Sequence, residues 1–187
     1  MKLYVSSHTD ISGQVCKAAA RIAGVYTQII IADEVTTAGK EWKEWKKANI
    51  TNQLPCLETE QGMIVETVAI LKFLARQNPE SGLLGEGRLQ QAQVAQWLSY
   101  ATGQLGPNVE VISDTLFGYI NTFQDEFNAA QTDIKSQIKT LDTRLNGKDW
   151  LVGERLTLAD LYVAALLTVP YSLSLDAGYQ KAMSNVT

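Results

Sequence analysis

Apolar residues in the first third of the chain come in two rhythms. In KLYVS (2–6) and VYTQIIIA (25–32) they crowd into short β-branched and aromatic runs, which predict strands. Between these runs Val15, Ala18, Ala19, Ile22 and Ala23 fall at helical spacing from Gln14 onward, and Gly24 suits a helix stop. The polar, turn-rich SHTDISG (7–13) predicts a loop, and EWKEWKKAN (41–49) a short helix. LPCLE (54–58) and MIV (63–65) predict two short strands joined by a tight turn at TEQG (59–62). Glu66 to Arg76 is helical again. The resulting order, β-α-β-α-β-β-α, predicts an α/β layer.

The pattern changes after NPESGLLGEGR (78–88), whose Pro, Ser and glycines read as a linker. It separates an α/β domain, 1–77, from a second domain, 78–187, in which no strand pattern recurs. LQQAQVAQWLSYATGQL (89–105) predicts a helix that Pro107 should break or kink. Ile120, Phe123, Phe127, Ala130, Ile134, Ile138, Leu141 and Leu145 recur every three or four residues. They predict one long helix with an apolar stripe for core packing, ended by Asn146-Gly147. TLADLYVAALLTV (157–169) opens with a start signal: Thr157 and Asp160 form an Asp version of the capping box, and Leu156 and Leu161 take the staple positions. The helix behind it is apolar nearly all round, so it should be the buried centre of an all-helical domain.

Composition narrows the function classes. The net charge of the 187 residues is −4, and the deficit falls in the second half. Only KEWKEWKK (40–47) is locally basic, and two glutamates interrupt it, so direct nucleic-acid binding is not expected. No apolar run approaches the roughly 18 residues of a membrane helix, and MKLYVSSHTD turns polar too early for a signal peptide. A cytoplasmic setting is the default. Cys16 and Cys56 are too few for a disulfide framework, and no cluster has metal-ligand spacing.

The chemistry concentrates in NQLPCLETEQGMIVETVAILKFLA (52–75). Proline has no N–H, so Pro55 belongs at a strand entry, and only X-Pro bonds take the cis form cheaply. A cis Leu54-Pro55 bond would turn the backbone of Leu54 outward, free to pair with an extended ligand. Glu66 and Thr67 open a helix, whose start offers unpaired N–H groups and partial positive charge to a carboxylate. The plainer alternative is that Pro55 shapes a turn and Glu66-Thr67 caps a helix.

LPCLE, Glu66-Thr67-Val68-Ala69-Ile70 and LVGERLTLADL, in this order, resemble the glutathione S-transferase family over nearly the whole chain. The resemblance implies a thioredoxin-like N-terminal domain and an all-helical glutathione S-transferase C-terminal-like domain. It implies glutathione as substrate or ligand, with no cofactor required. Leu54 would pair with the cysteinyl backbone beside Pro55, and Glu66 and Thr67 would bind the γ-glutamyl end. Family enzymes place a Tyr, Ser or Cys just after the first strand to favour the glutathione thiolate. Here that loop supplies Ser7, Thr9 and Ser12 as catalytic candidates. Tyr4 lies inside the strand, and Asp10 would oppose a thiolate. His8 reads as a site residue or a solvated loop residue, Cys16 as a buried filler, and Cys56 as core. Trp42 and Trp45 either flank a pocket or pack on the sheet.

SGLLGEGRLQQAQVAQWLSYA and the run from Leu141 to Thr187 further resemble the transferase-like domains of the elongation factor 1-gamma family. That implies a protein-docking role in the translation elongation, nucleotide-exchange complex, with translation elongation factor subunits or aminoacyl-tRNA synthetases as partners. A homodimer and a catalytically active transferase are further expectations of the wider family. The family's gamma subunit continues past this point, so a fragment is expected, with apolar surface on the second domain for a partner to cover.

Overall fold

A computed structural model describes residues 1–7, 10–32, 45–121 and 123–186. The chain divides into two compact units, Met1–Leu84 and Gly85–Thr187, and the break falls inside the 78–88 segment.

The first unit contains β1 (Lys2–Val5), α1 (Ile11–Ile22), β2 (Gln28–Ile31), β3 (Cys56–Thr59), β4 (Gly62–Val65) and α2 (Thr67–Arg76). The sheet order is β2-β1-β3-β4. β1 and β2 are parallel, joined through α1, while β1–β3 and β3–β4 are antiparallel. Strand alternation sorts the side chains between two faces. Leu3, Val5 and Leu57 are fully buried on one, where α1 brings Val15 and Ala19 and α2 brings Ile70, Leu71 and Leu74. Tyr4 and Cys56 sit on the other with Trp45, which heads the helical residues 45–48. Residues 41–44 of the expected short helix lie outside the described residues, as do Trp42, His8 and Thr9.

Helix α1 begins three residues before the apolar rhythm suggests, because Asp10 caps it: its carboxylate accepts the Ser12 N–H at 3.0 Å. The expected loop at 7–13 is therefore partly helix.

The second unit contains α3 (Gly87–Tyr100), a π-helical segment (Ala101–Leu105), α4 (Gly106–Leu116), α5 (Gln124–Leu145), α6 (Leu158–Leu173) and α7 (Ala177–Ala182). Its described residues form no strand. Pro107 does not break the chain's helical course. The π segment absorbs it: the Gly106 N–H reaches five residues back to Ala101, and Pro107 falls in the first turn of α4, where its missing N–H is harmless.

The long apolar stripe is shorter than its periodicity predicts. Ala130, Ile134, Ile138 and Leu141 are buried in α5. Ile120 and Phe123 precede the helix, however, and are 43% and 78% exposed. Gly118, at φ +76°, ends the preceding helix, and Phe123 is extended, so the spacing crosses a turn by chance.

The capping box is formed at the start of α6, with Thr157 almost wholly buried. Arg144 of α5 joins the same corner, donating twice to the Leu151 carbonyl at 3.1 and 2.7 Å. Behind the cap, Tyr162, Val163, Leu166 and Leu167 are buried, and α6 packs against α3 and α4. Among the described residues no helix is long and apolar enough to cross a membrane.

Candidate functional site

Strand register decides where the expected site residues meet. Cys56 pairs with Val65, so Leu54-Pro55 and Glu66-Thr67 leave the hairpin at the same end. Tyr4 pairs with Cys56, so Ser7 leaves β1 at that end too. This is the carboxyl end of the parallel β1–β2 pair, where α/β sheets place their ligands. Ser12, second residue of α1, begins just beyond the loop from Ser7. Thr9 lies outside the described residues.

The Leu54–Pro55 bond is cis. Pro55 is buried, while Leu54 is half-buried and packs against Tyr4, Trp45 and Cys56. Glu66 stands at φ +70°, ψ 120°, a conformation a side chain seldom takes and one that costs about 1–3 kcal/mol. It turns the chain sharply from β4 into α2. The first helical bond runs from the Ile70 N–H to the Glu66 carbonyl. No side chain caps this start. The amides of the first turn of α2, beside the half-buried Thr67, thus form a positive helix end suited to a carboxylate.

The start of α1 has the opposite character. Asp10 occupies its amide and brings a negative charge to the neighbourhood of Ser12. Burial, reinforced by Asp10, pushes the Cys16 thiol up to about 12. Burial also pushes the Cys56 thiol up to about 11, with Glu58 adding to it. Neither cysteine supplies a thiolate near neutral pH. A disulfide-exchange reagent should therefore label neither in the folded chain at neutral pH, and both in urea; rapid labelling of the folded chain would contradict the burial argument. The protonated thiols also set an alkaline limit. Their contribution to stability is complete below the ordinary value of 9.0 and is lost as pH rises toward 11–12, because the unfolded chain releases those protons first.

The Tyr4 ring packs beside Leu54, but its hydroxyl is engaged elsewhere. Its hydroxyl donates to Glu58 at 2.6 Å. That bond, with Lys2 3.3 Å from the same carboxylate, holds Glu58 below the usual range. Trp45 packs on the sheet, its ring 5.8 Å from that of Tyr4. A concavity of about 720 Å³ opens beside these rings, lined by Lys2, Gln28 and Gln61 as well. It lies toward the Glu60-Gln61 turn and includes none of the expected ligand residues. Among the described residues no group of acidic, His or Cys side chains is placed to hold a metal ion.

The capping role of Asp10 and the backbone of Glu66 lie beyond the sequence reading. Asp10 had a signal, being a capping residue directly before the first helical position. The backbone of Glu66 had none, since nothing in the side chain favours a positive φ.

An uncapped helix start beside a cis-proline strand in a β-α-β-β-α layer, followed by an all-helical unit, defines a glutathione S-transferase fold. Residues 1–76 match the glutathione S-transferase N-terminal domain model and residues 109–187 the C-terminal domain model. The chain belongs to the glutathione S-transferase family. Within that family its curated relatives are mostly elongation factor 1-gamma proteins. It is 26% identical over 168 residues to the probable elongation factor 1-gamma 2 of Arabidopsis thaliana, covering 90% of this chain and 40% of that protein. With elongation factor 1-gamma-A of Xenopus laevis it shares 31% over 145 residues, covering 77% of this chain and 32% of that one. The chain thus spans well under half the length of these relatives. The crystal structure of the GST-like domain of elongation factor 1-gamma from Saccharomyces cerevisiae has the same fold. The TM-score is 0.82 at 18% identity, over 99% of this chain and 84% of that one.

Proposed function

We propose that this chain is a protein-docking module of the elongation factor 1-gamma kind, supporting assembly of the translation elongation complex in the cytoplasm. The observation that carries the reading is the start of α1. There Asp10 sets a carboxylate beside Ser12, and a negative charge at that point would oppose a glutathione thiolate. The relatives named elongation factor 1-gamma supply the direction, and this reading takes the transferase fold here as a scaffold. Its partners are elongation factor subunits, or aminoacyl-tRNA synthetases in the alternative assembly. The test is affinity capture from native cytosol with the purified chain as bait. Recovery of elongation factor subunits supports the reading, and recovery of synthetases alone moves it to the synthetase assembly. Finding neither kind of component, with conjugating activity in the same preparation, would sink it.

The uncapped, strained start of α2 supports a second reading, in which the chain binds glutathione and conjugates it with help from Ser7, Thr9 or Ser12. Leu54 would pair with the peptide backbone, and Glu66 and Thr67 would hold the γ-glutamyl end. Calorimetric titration with reduced glutathione is expected to give saturable heat that Thr67→Val weakens at least tenfold. A folded chain silent at millimolar ligand would mean that the helix start is vacant of function.

A further inference from the structure

After α4 the chain turns at 117–120, where the main chain fixes the shape and leaves the side chains in solvent. The Phe117 N–H donates to Ser113 at 2.8 Å and the Gly118 N–H to Thr115 at 3.2 Å. The Tyr119 and Ile120 N–H groups both reach the Asp114 carbonyl, at 2.8 and 3.3 Å. Gly118 supplies the left-handed step at φ +76°. With the shape settled by the main chain, the side chains are not needed to hold it. Phe117, Tyr119 and Phe123 are 58%, 77% and 78% exposed, and Leu116 and Ile120 are exposed beside them. The rings of Phe117 and Tyr119 lie 6.1 Å apart. The other exposed large apolar side chains among the described residues are scattered along the chain. Single exposed apolar residues need no explanation, but the paired rings of Phe117 and Tyr119, with Phe123 exposed four residues further along, suit an interaction surface.

Charge indicates what would cover it. Between Arg88 and Lys135 the sequence has no Lys or Arg, while Glu110, Asp114, Asp125, Glu126 and Asp133 are acidic. Asp114 precedes these aromatic residues, and Asp125 and Glu126 follow them. Exposed aromatic side chains flanked along the chain by acidic residues attract an apolar segment carrying Lys and Arg and repel an acidic one.

We propose that this turn docks a basic amphipathic helix of a partner protein, with its apolar face on Phe117, Tyr119 and Phe123 and its cations on the flanking acidic residues. The inference rests on the assembly reading above and names the surface and partner chemistry that assembly would use.

The test uses two synthetic helical peptides with identical leucine spacing, one with Lys and one with Glu at the polar positions. Each is titrated into the isotope-labelled full chain, and the amide shifts are followed. The Lys peptide is expected to bind at least tenfold more tightly, to shift amides around 116–123, and to weaken as salt rises. Phe117→Ser with Phe123→Ser should lose at least tenfold in affinity with the fold intact, since both rings are exposed. Asp114→Lys with Asp125→Lys and Glu126→Lys should reverse the preference between peptides. Equal binding of the two peptides, or shifts centred elsewhere, would overturn the inference. So would self-association of the free chain that the double serine variant abolishes. The two readings fail separately. If the double serine variant captures elongation factor subunits as well as the native chain does, this surface is wrong and the assembly reading stands. If the native chain captures none while the Lys peptide still maps to the turn, the assembly reading falls alone.

Discussion

Replacing Asp160 with Ala should destabilise the chain by about 3–5 kcal/mol, on the order of a third of the stability of an ordinary domain. One carboxylate organises the whole corner. Its Oδ2 accepts the Thr157 N–H and the Thr157 hydroxyl, each at 2.8 Å, and its Oδ1 accepts the Leu151 N–H at 2.7 Å. Thr157 and Leu151 are both buried, so water cannot easily replace the lost acceptor. Each stranded donor costs roughly 1–3 kcal/mol, and the disturbed cap adds about 1. Asp160→Asn keeps the shape and one acceptor oxygen, so it should fall between the native chain and Asp160→Ala. Urea unfolding of the three proteins measures the series. A loss below about 1 kcal/mol for the alanine variant would mean that the corner is not held this way.

Gly13→Val should cost about 3 kcal/mol and disturb the candidate ligand end of the sheet as well. Helix propensity alone favours replacing a helical glycine, by up to about 1 kcal/mol for Ala. Packing reverses the sign. A Cβ at Gly13 would stand 2.6 Å from Cγ1 of Val5 and 3.2 Å from Oδ2 of Asp10. Val5 is fully buried and cannot withdraw, so α1 must lift from β1 and take its capped start along. Even Gly13→Ala should destabilise for this reason. Thermal unfolding gives the stability change, and amide shifts at Ser7 and Ser12 report the displaced helix. A valine variant as stable as the native chain would show that α1 moves freely over the sheet.

The elements of the first unit were largely legible because each was short and carried its own rhythm. Both strands of the hairpin, the turn between them and the helix after it follow from 54–76 alone, while the sequence allows a cis Leu54-Pro55 bond without deciding it and the structure has it cis. The site was legible only in part. Leu54, Pro55, Glu66 and Thr67 are candidates from the chemistry of a proline at a strand entry, from a helix start and from the family resemblance, and the register brings them to one end of the sheet. Asp10 was read as part of a loop, since the helix was started at its first apolar rhythm instead of at its cap. The second unit misled where spacing ran on past a change of structure. Ile120 and Phe123 keep the period of α5, but Gly118 and an extended Phe123 separate them from it. Periodicity reports a common face only when one helix carries all the positions. Pro107 gave a true warning with the wrong outcome, because a proline can be absorbed by a π turn as well as by a break.

The π turn gives the second unit a phase. A π turn holds one residue more than an α turn, so 101–105 can lose one residue by closing as an α turn, whereas a residue added there would rotate everything after it by roughly 100° about the helix axis. Val109 and Ile112, now buried, would swing toward water, and the polar flank of α4 would swing inward. The Glu60-Gln61 turn has no such constraint downstream of its own hairpin. Insertions and deletions should therefore be unevenly tolerated across the chain. The β-hairpin tip can drift in length either way, whereas 101–105 behaves as a ratchet that can shed one residue but not gain one.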